Sequence, residues 1–66
     1  MASRTVAEQF DRLDEFTSLL AAAELNASND WEIKFTADVS ANYQRWRGDM
    51  YLSESQLENL ERIANQ

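Results

Sequence analysis

A chain of 66 residues with one glycine and no proline has few ways to reverse sharply. Sheet-rich folds draw on Gly, Asn-Gly or Pro turns every few residues, whereas helices can be joined by polar residues alone. The chain is therefore expected to be all-α. Its length allows one domain, residues 1–66, and a domain of this size buries only about 60% of the surface its unfolded chain exposes. Small scaffolds usually rely on a disulfide, a metal or a partner subunit. With no cysteine and no histidine, the first is closed and the usual zinc ligands are missing. A compact three-helix arrangement, or one completed by homodimerisation, remains.

The spacing of apolar residues and cap signals predicts three helices, over about residues 5–25, 30–47 and 54–64. Thr5 and Glu8 read as a capping box. Behind them Val6, Phe10, Leu13, Phe16 or Thr17, Leu20 and Ala23 recur at helical spacing. Asn26–Asp30 is a loop rich in capping residues, with Glu32 in capping-box register to Asn29. The second helix carries Trp31, Phe35, Val39, Asn42 or Tyr43, and Trp46 on one face; Asp38 lies at its edge, where the stripe opens towards water. Arg45 and Arg47 suit the negative end of the helix dipole, and Gly48 stands where a left-handed residue would end the helix. Asp49–Leu52 reads as a connector. Ser53 and Gln56 form another capping box, with Leu52 and Leu57 as its hydrophobic staple. The expected core is Phe10, Leu13, Phe16, Leu20, Trp31, Phe35, Val39, Leu57, Leu60 and Ile63.

The pattern Trp31-Glu32-x-x-Phe35, then Tyr43, then Leu52-Ser53-Glu54-x-Gln56-Leu57-x-x-Leu60-x-x-Ile63 resembles a helical segment that recurs in small proteins encoded by bacteriophages and prophages. It covers residues 29–64. The resemblance implies a phage-type origin and a role near replication or host takeover, and carries over no catalytic residue. The physical content of the pattern is packing and capping.

Twelve acidic against six basic residues give a net charge of −6. Phosphate neutralisation needs clustered Lys and Arg, so direct nucleic-acid binding is disfavoured. No segment approaches the ~20 apolar residues of a membrane span, and the start Met-Ala-Ser-Arg-Thr lacks a signal-like run. A cytoplasmic location, in a bacterial host if the chain is phage-encoded, is expected. With no His or Cys as base or nucleophile and no Gly-rich phosphate loop, an enzyme is not expected, nor is a cofactor or metal. Glu8, Asp11 and Glu15 share a face of the expected first helix. Catalytic carboxylates need a cleft that perturbs their pKa, so this face reads as a solvated one. In the alternative it belongs to an acidic DNA mimic that blocks a nucleic-acid-binding complex.

Arg45, Trp46 and Arg47 with nearby Tyr51 form the most distinctive cluster, because Trp, Tyr and Arg dominate protein–protein hot spots. Its structural alternative has Trp46 closing the core and the arginines complementing the helix end. Trp31 and Trp46 lie close to four helical turns apart at 3.6 residues per turn, so they point to roughly one side. If the core cannot cover both, an exposed indole is the natural centre of an interface. The expected partner is a bacterial host protein, such as a defence or regulatory factor, bound through Trp46, Arg45, Arg47, Tyr51 and Trp31. A replication accessory or a structural subunit is a further alternative.

Overall fold

The computed structural model describes residues 4–66; residues 1–3, part of the start read above as lacking a signal-like run, lie outside the described residues. Among the described residues the elements are β1 (Arg4–Thr5), α1 (Val6–Gln9), α2 (Leu13–Asn26), α3 (Asp30–Trp46), a 3-10 turn (Arg47–Asp49), β2 (Tyr51–Leu52) and α4 (Glu54–Ala64). The fold is mostly helical, as expected, but it has four α-helices where three were expected.

The expected first helix is split. Thr5 does begin a helix: its N–H donates to Glu8 Oε1 at 2.8 Å and the Glu8 N–H donates to Thr5 Oγ1 at 3.2 Å. That helix lasts a single turn. Phe10 (φ −124°, ψ 132°) and Arg12 (φ −134°, ψ 137°) are both extended. The reason is tertiary. Arg4 and Thr5 pair antiparallel with Leu52 and Tyr51, the Val6 N–H donates to Met50 O at 2.9 Å, and the Gln9 amide donates to Leu52 O at 2.8 Å. These contacts fix α1 beside β2, and packing overrides the weak helix propensity around Asp11. The turn lets Phe10 meet Phe16 edge-on at 5.4 Å. Arg12, with no side-chain cap to offer, holds Asp14 through two bonds of 2.7 and 3.1 Å.

The α3 and α4 boundaries follow their local signals. The Asn29 side chain caps α3 by accepting from the Glu32 N–H at 2.8 Å. Ser53 and Gln56 complete their box with bonds of 2.9 and 3.1 Å. The helix end at Gly48 does not follow its signal. The residue with positive φ is Arg47, at 53°, and Gly48 serves close approach instead. A Cβ there would lie 3.3 Å from the Ala7 Cβ and 3.4 Å from a Leu13 methyl.

The core is Val6, Phe16, Leu20, Ala23, Val39, Tyr43, Met50, Leu52, Leu60 and Ile63. Phe10, Phe35 and Leu57, expected inside, pack against its edge. Leu13 and Trp31 are corrections, being 40% and 56% exposed. The supposed connector supplies Met50 and Leu52 to the core, through the β1–β2 pairing. Helix α4 packs mainly on α2 and leaves much of α3 uncovered.

Candidate functional site

Helix α3 buries Glu32, Thr36, Val39 and Tyr43, which recur at helical spacing and define the seam towards the core. At about 100° per residue, Trp31, Phe35, Asp38, Asn42 and Trp46 fall on an adjoining face. That face stays open: Trp31 is 56% and Trp46 52% exposed. Neither indole is in the core, and their common side is the one α4 does not cover.

Trp46 and Tyr51 come together. With Thr5, Asn42, Asp49 and Met50 they line an open groove of about 620 Å³. Thr5 and Tyr51 are directly opposed in the strand pair, so their side chains stand on the same face of the two-stranded sheet. Met50, buried in the core, forms the floor. Tyr51 is 68% exposed and offers a flat apolar wall with a polar tip.

Neither Arg45 nor Arg47 lines this groove; both adjoin Trp46 in the chain. The Arg45 guanidinium lies 5.2 Å from the centre of the Trp46 ring, and that of Arg47 lies 5.8 Å from the Tyr43 ring. Both contacts are within cation–π range. Neither arginine is in an ion pair; among the described residues the pairs are Arg12–Asp14 and Arg62–Glu32. Trp31 does not join the groove. It stacks on Phe35, ring centroids 5.1 Å apart, beside Lys34 and Asp38.

Glu8, Asp11 and Glu15 do not share a helix face. Glu8 is in α1, Asp11 lies between helices and Glu15 is in α2. The Glu8 carboxylate is also engaged by the Thr5 N–H and hydroxyl, which hold its pKa below the usual carboxylate value, with a smaller contribution from Arg4.

Glu32, which the sequence marks through its capping register and the Trp31-Glu32-x-x-Phe35 pattern alone, carries a buried carboxylate. It reaches past Asn29 to accept from the Ser28 N–H at 2.9 Å and hydroxyl at 3.1 Å. It also accepts from the Gln66 amide at 3.1 Å and Arg62 at 3.2 Å. The Ser28 N–H first, then Gln66, the Ser28 hydroxyl and Arg62, pull its pKa down to about 2 against the opposing effect of burial. Among the described residues every buried side-chain nitrogen and oxygen has a hydrogen-bond partner. A fully satisfied carboxylate of this kind is a structural tie. It is not poised for proton transfer, which calls for a pKa near the working pH.

Among the described residues no group of three or more acidic side chains is placed to hold a metal ion, and no helix is long and apolar enough to cross a membrane. No family model, curated protein or solved structure matches the chain. The groove and its aromatic walls are thus the features on which a functional reading rests.

Proposed function

We propose that this chain is a non-enzymatic, phage-type protein that binds and modulates a bacterial host protein, inhibiting a defence or regulatory factor. The Trp46–Tyr51 groove is the contact surface, with Arg45 and Arg47 adjoining Trp46 in the chain. One observation carries the reading: a half-exposed tryptophan and an exposed tyrosine form the walls of one groove over a buried methionine floor. Large aromatics left beside an apolar cavity are the anchors of protein interfaces, where they supply much of the binding energy. The host assignment comes from the phage-like pattern of residues 29–64, and the cytoplasm of the host is the corresponding location. The acidic-mimic alternative draws on Glu8, Asp11 and Glu15, which lie on separate elements.

The test places a photoreactive benzophenone residue at Tyr51 in cells of a bacterial host. A discrete light-dependent adduct with one host protein is expected, together with a change in that protein's activity when the purified chain is added. Trp46→Ala is expected to leave the circular dichroism unchanged and to weaken binding of that protein by about 2 kcal/mol or more. Absence of an adduct, or an adduct indifferent to Trp46→Ala, would count against the groove.

A further inference from the structure

A second exposed aromatic feature lies towards the other end of α3. The Trp31 and Phe35 rings stack with their planes 5° apart, and with Lys34 and Asp38 they line an open cleft of about 270 Å³. Lys34 and Asp38 stand one turn apart and line the same cleft, yet neither is in an ion pair among the described residues. The neighbouring surface continues through Ala41, which is exposed. The patch therefore combines one cation, one anion, two stacked aromatics and one small residue along a single helix.

We propose that this face of α3 docks a second copy of the chain, with the two α3 helices antiparallel about a two-fold axis level with Thr36. A two-fold interface must be complementary to its own image, and this patch meets that requirement in charge and in bulk. Antiparallel pairing at this level sets Lys34 of each copy against Asp38 of the other, giving two equivalent ion pairs. It also sets the large Trp31 of each copy level with the small Ala41 of the other, so a bulky side chain meets a shallow one. The cleft itself is neutral, so the net charge of −6 acts only at longer range, where salt screens it. The pairing covers apolar surface on a domain with no disulfide to support it. Tyr51 belongs to another element and Trp46 lies beyond the paired residues, so this inference stands apart from the host-protein groove.

The test is a charge-swap experiment read by sedimentation equilibrium. The wild-type chain is expected to show a monomer–dimer equilibrium, with Trp31 fluorescence shifting to the blue as dimer forms. Lys34→Glu creates two like-charge contacts per dimer, as does Asp38→Lys, and each alone is expected to raise the dissociation constant by about tenfold or more. Both positions are exposed, and circular dichroism checks that the variants fold. An equimolar mixture of the two variants restores opposite charges at both contacts. It is expected to form a heterodimer with near wild-type affinity; a parallel pairing, which already sets like charges together in the wild type, would not be weakened by the single variants, and an unrelated interface would respond to neither. A wild-type chain that stays monomeric up to about 0.5 mM would overturn the proposal. So would single variants that dimerise like wild type, or a mixture that fails to restore association. Adducts from Tyr51 read the groove and sedimentation reads the cleft, so either reading can fail while the other holds.

Discussion

The Arg62 guanidinium donates to the Glu32 carboxylate at 3.2 Å, joining the first turn of α3 to the last turns of α4 through an acid whose side chain is 3% exposed. Asn26 strengthens the junction: its side-chain amide donates to Ala64 O at 2.7 Å, and its backbone carbonyl accepts from the Gln66 side-chain amide at 2.9 Å. Helix α4 is thereby tied both to the α2 end and to the α3 start. Its position leaves the aromatic face of α3 uncovered, so the tie bears directly on the interaction surface.

This junction makes stability depend on acidity in a defined direction. Glu32 titrates near 2 in the folded chain against an ordinary 4.5. Unfolding removes the donors that favour its charged form, so the unfolded chain binds the proton more readily. The contribution is present in full above about pH 4.5 and is lost as the pH falls through about 2. Glu8, also shifted downwards, acts in the same direction. Melting temperatures recorded from pH 7 to pH 2 are expected to fall mainly below 4.5. Glu32→Gln is expected to lower the melting temperature at pH 7 and to flatten the acid limb. An acid limb as steep in the variant as in wild type would show that Glu32 is not its source.

Caps and core give a second, graded expectation in urea. Ser53→Ala removes the acceptor for the Gln56 N–H and is expected to cost about 1 kcal/mol. Phe16 is fully buried, packed edge-on against Phe10 and at a tilt against Tyr43, and Phe16→Ala is expected to cost about 3–5 kcal/mol. Phe35 only borders the core, so Phe35→Ala is expected to cost less than half as much. Equal losses at Phe16 and Phe35 would mean that Phe35 is buried in solution, as a tight dimer through α3 would also make it.

The contrast between these residues shows which features were legible in the sequence. The Thr5, Asn29 and Ser53 caps act over three residues, so their chemistry is written locally, and the starts of α1, α3 and α4 follow from it. The break at Phe10–Arg12 and the burial of Met50 depend on Arg4 and Thr5 pairing with Leu52 and Tyr51. That pairing joins residues far apart in the chain and leaves no period in the sequence. The helical repeat places Trp31 and Trp46 on one side of α3, but periodicity cannot say which side a neighbour covers. Packing of α4 on α2 decides that, and turns an expected core tryptophan into an exposed one. The groove was half legible: Trp46 and Tyr51 were marked by type, whereas Thr5 and Asn42 enter only through the fold.

Arg47 carries the last expectation, because its backbone (φ 53°, ψ −132°) lies where side chains are rarely found. Such a conformation costs on the order of 1–3 kcal/mol. Arg47→Gly relieves it, but glycine adds roughly 0.5–1 kcal/mol of unfolded-state entropy and the contact with the Tyr43 ring is lost. The net change is expected to lie between zero and a gain of about 1 kcal/mol, whereas Arg47→Ala keeps the strain and loses the ring contact, and so is expected to destabilise. The adjacent glycine cannot take over the task, because a side chain at Gly48 would press on Ala7 and Leu13. Strained residues cluster at functional sites, and Arg47 directly follows Trp46, which lines the groove. Arg47→Gly is therefore expected to hold or raise the unfolding midpoint while weakening capture of the host protein. If Arg47→Gly proves less stable than Arg47→Ala, the conformation is not strained in solution and the link between strain and binding is broken.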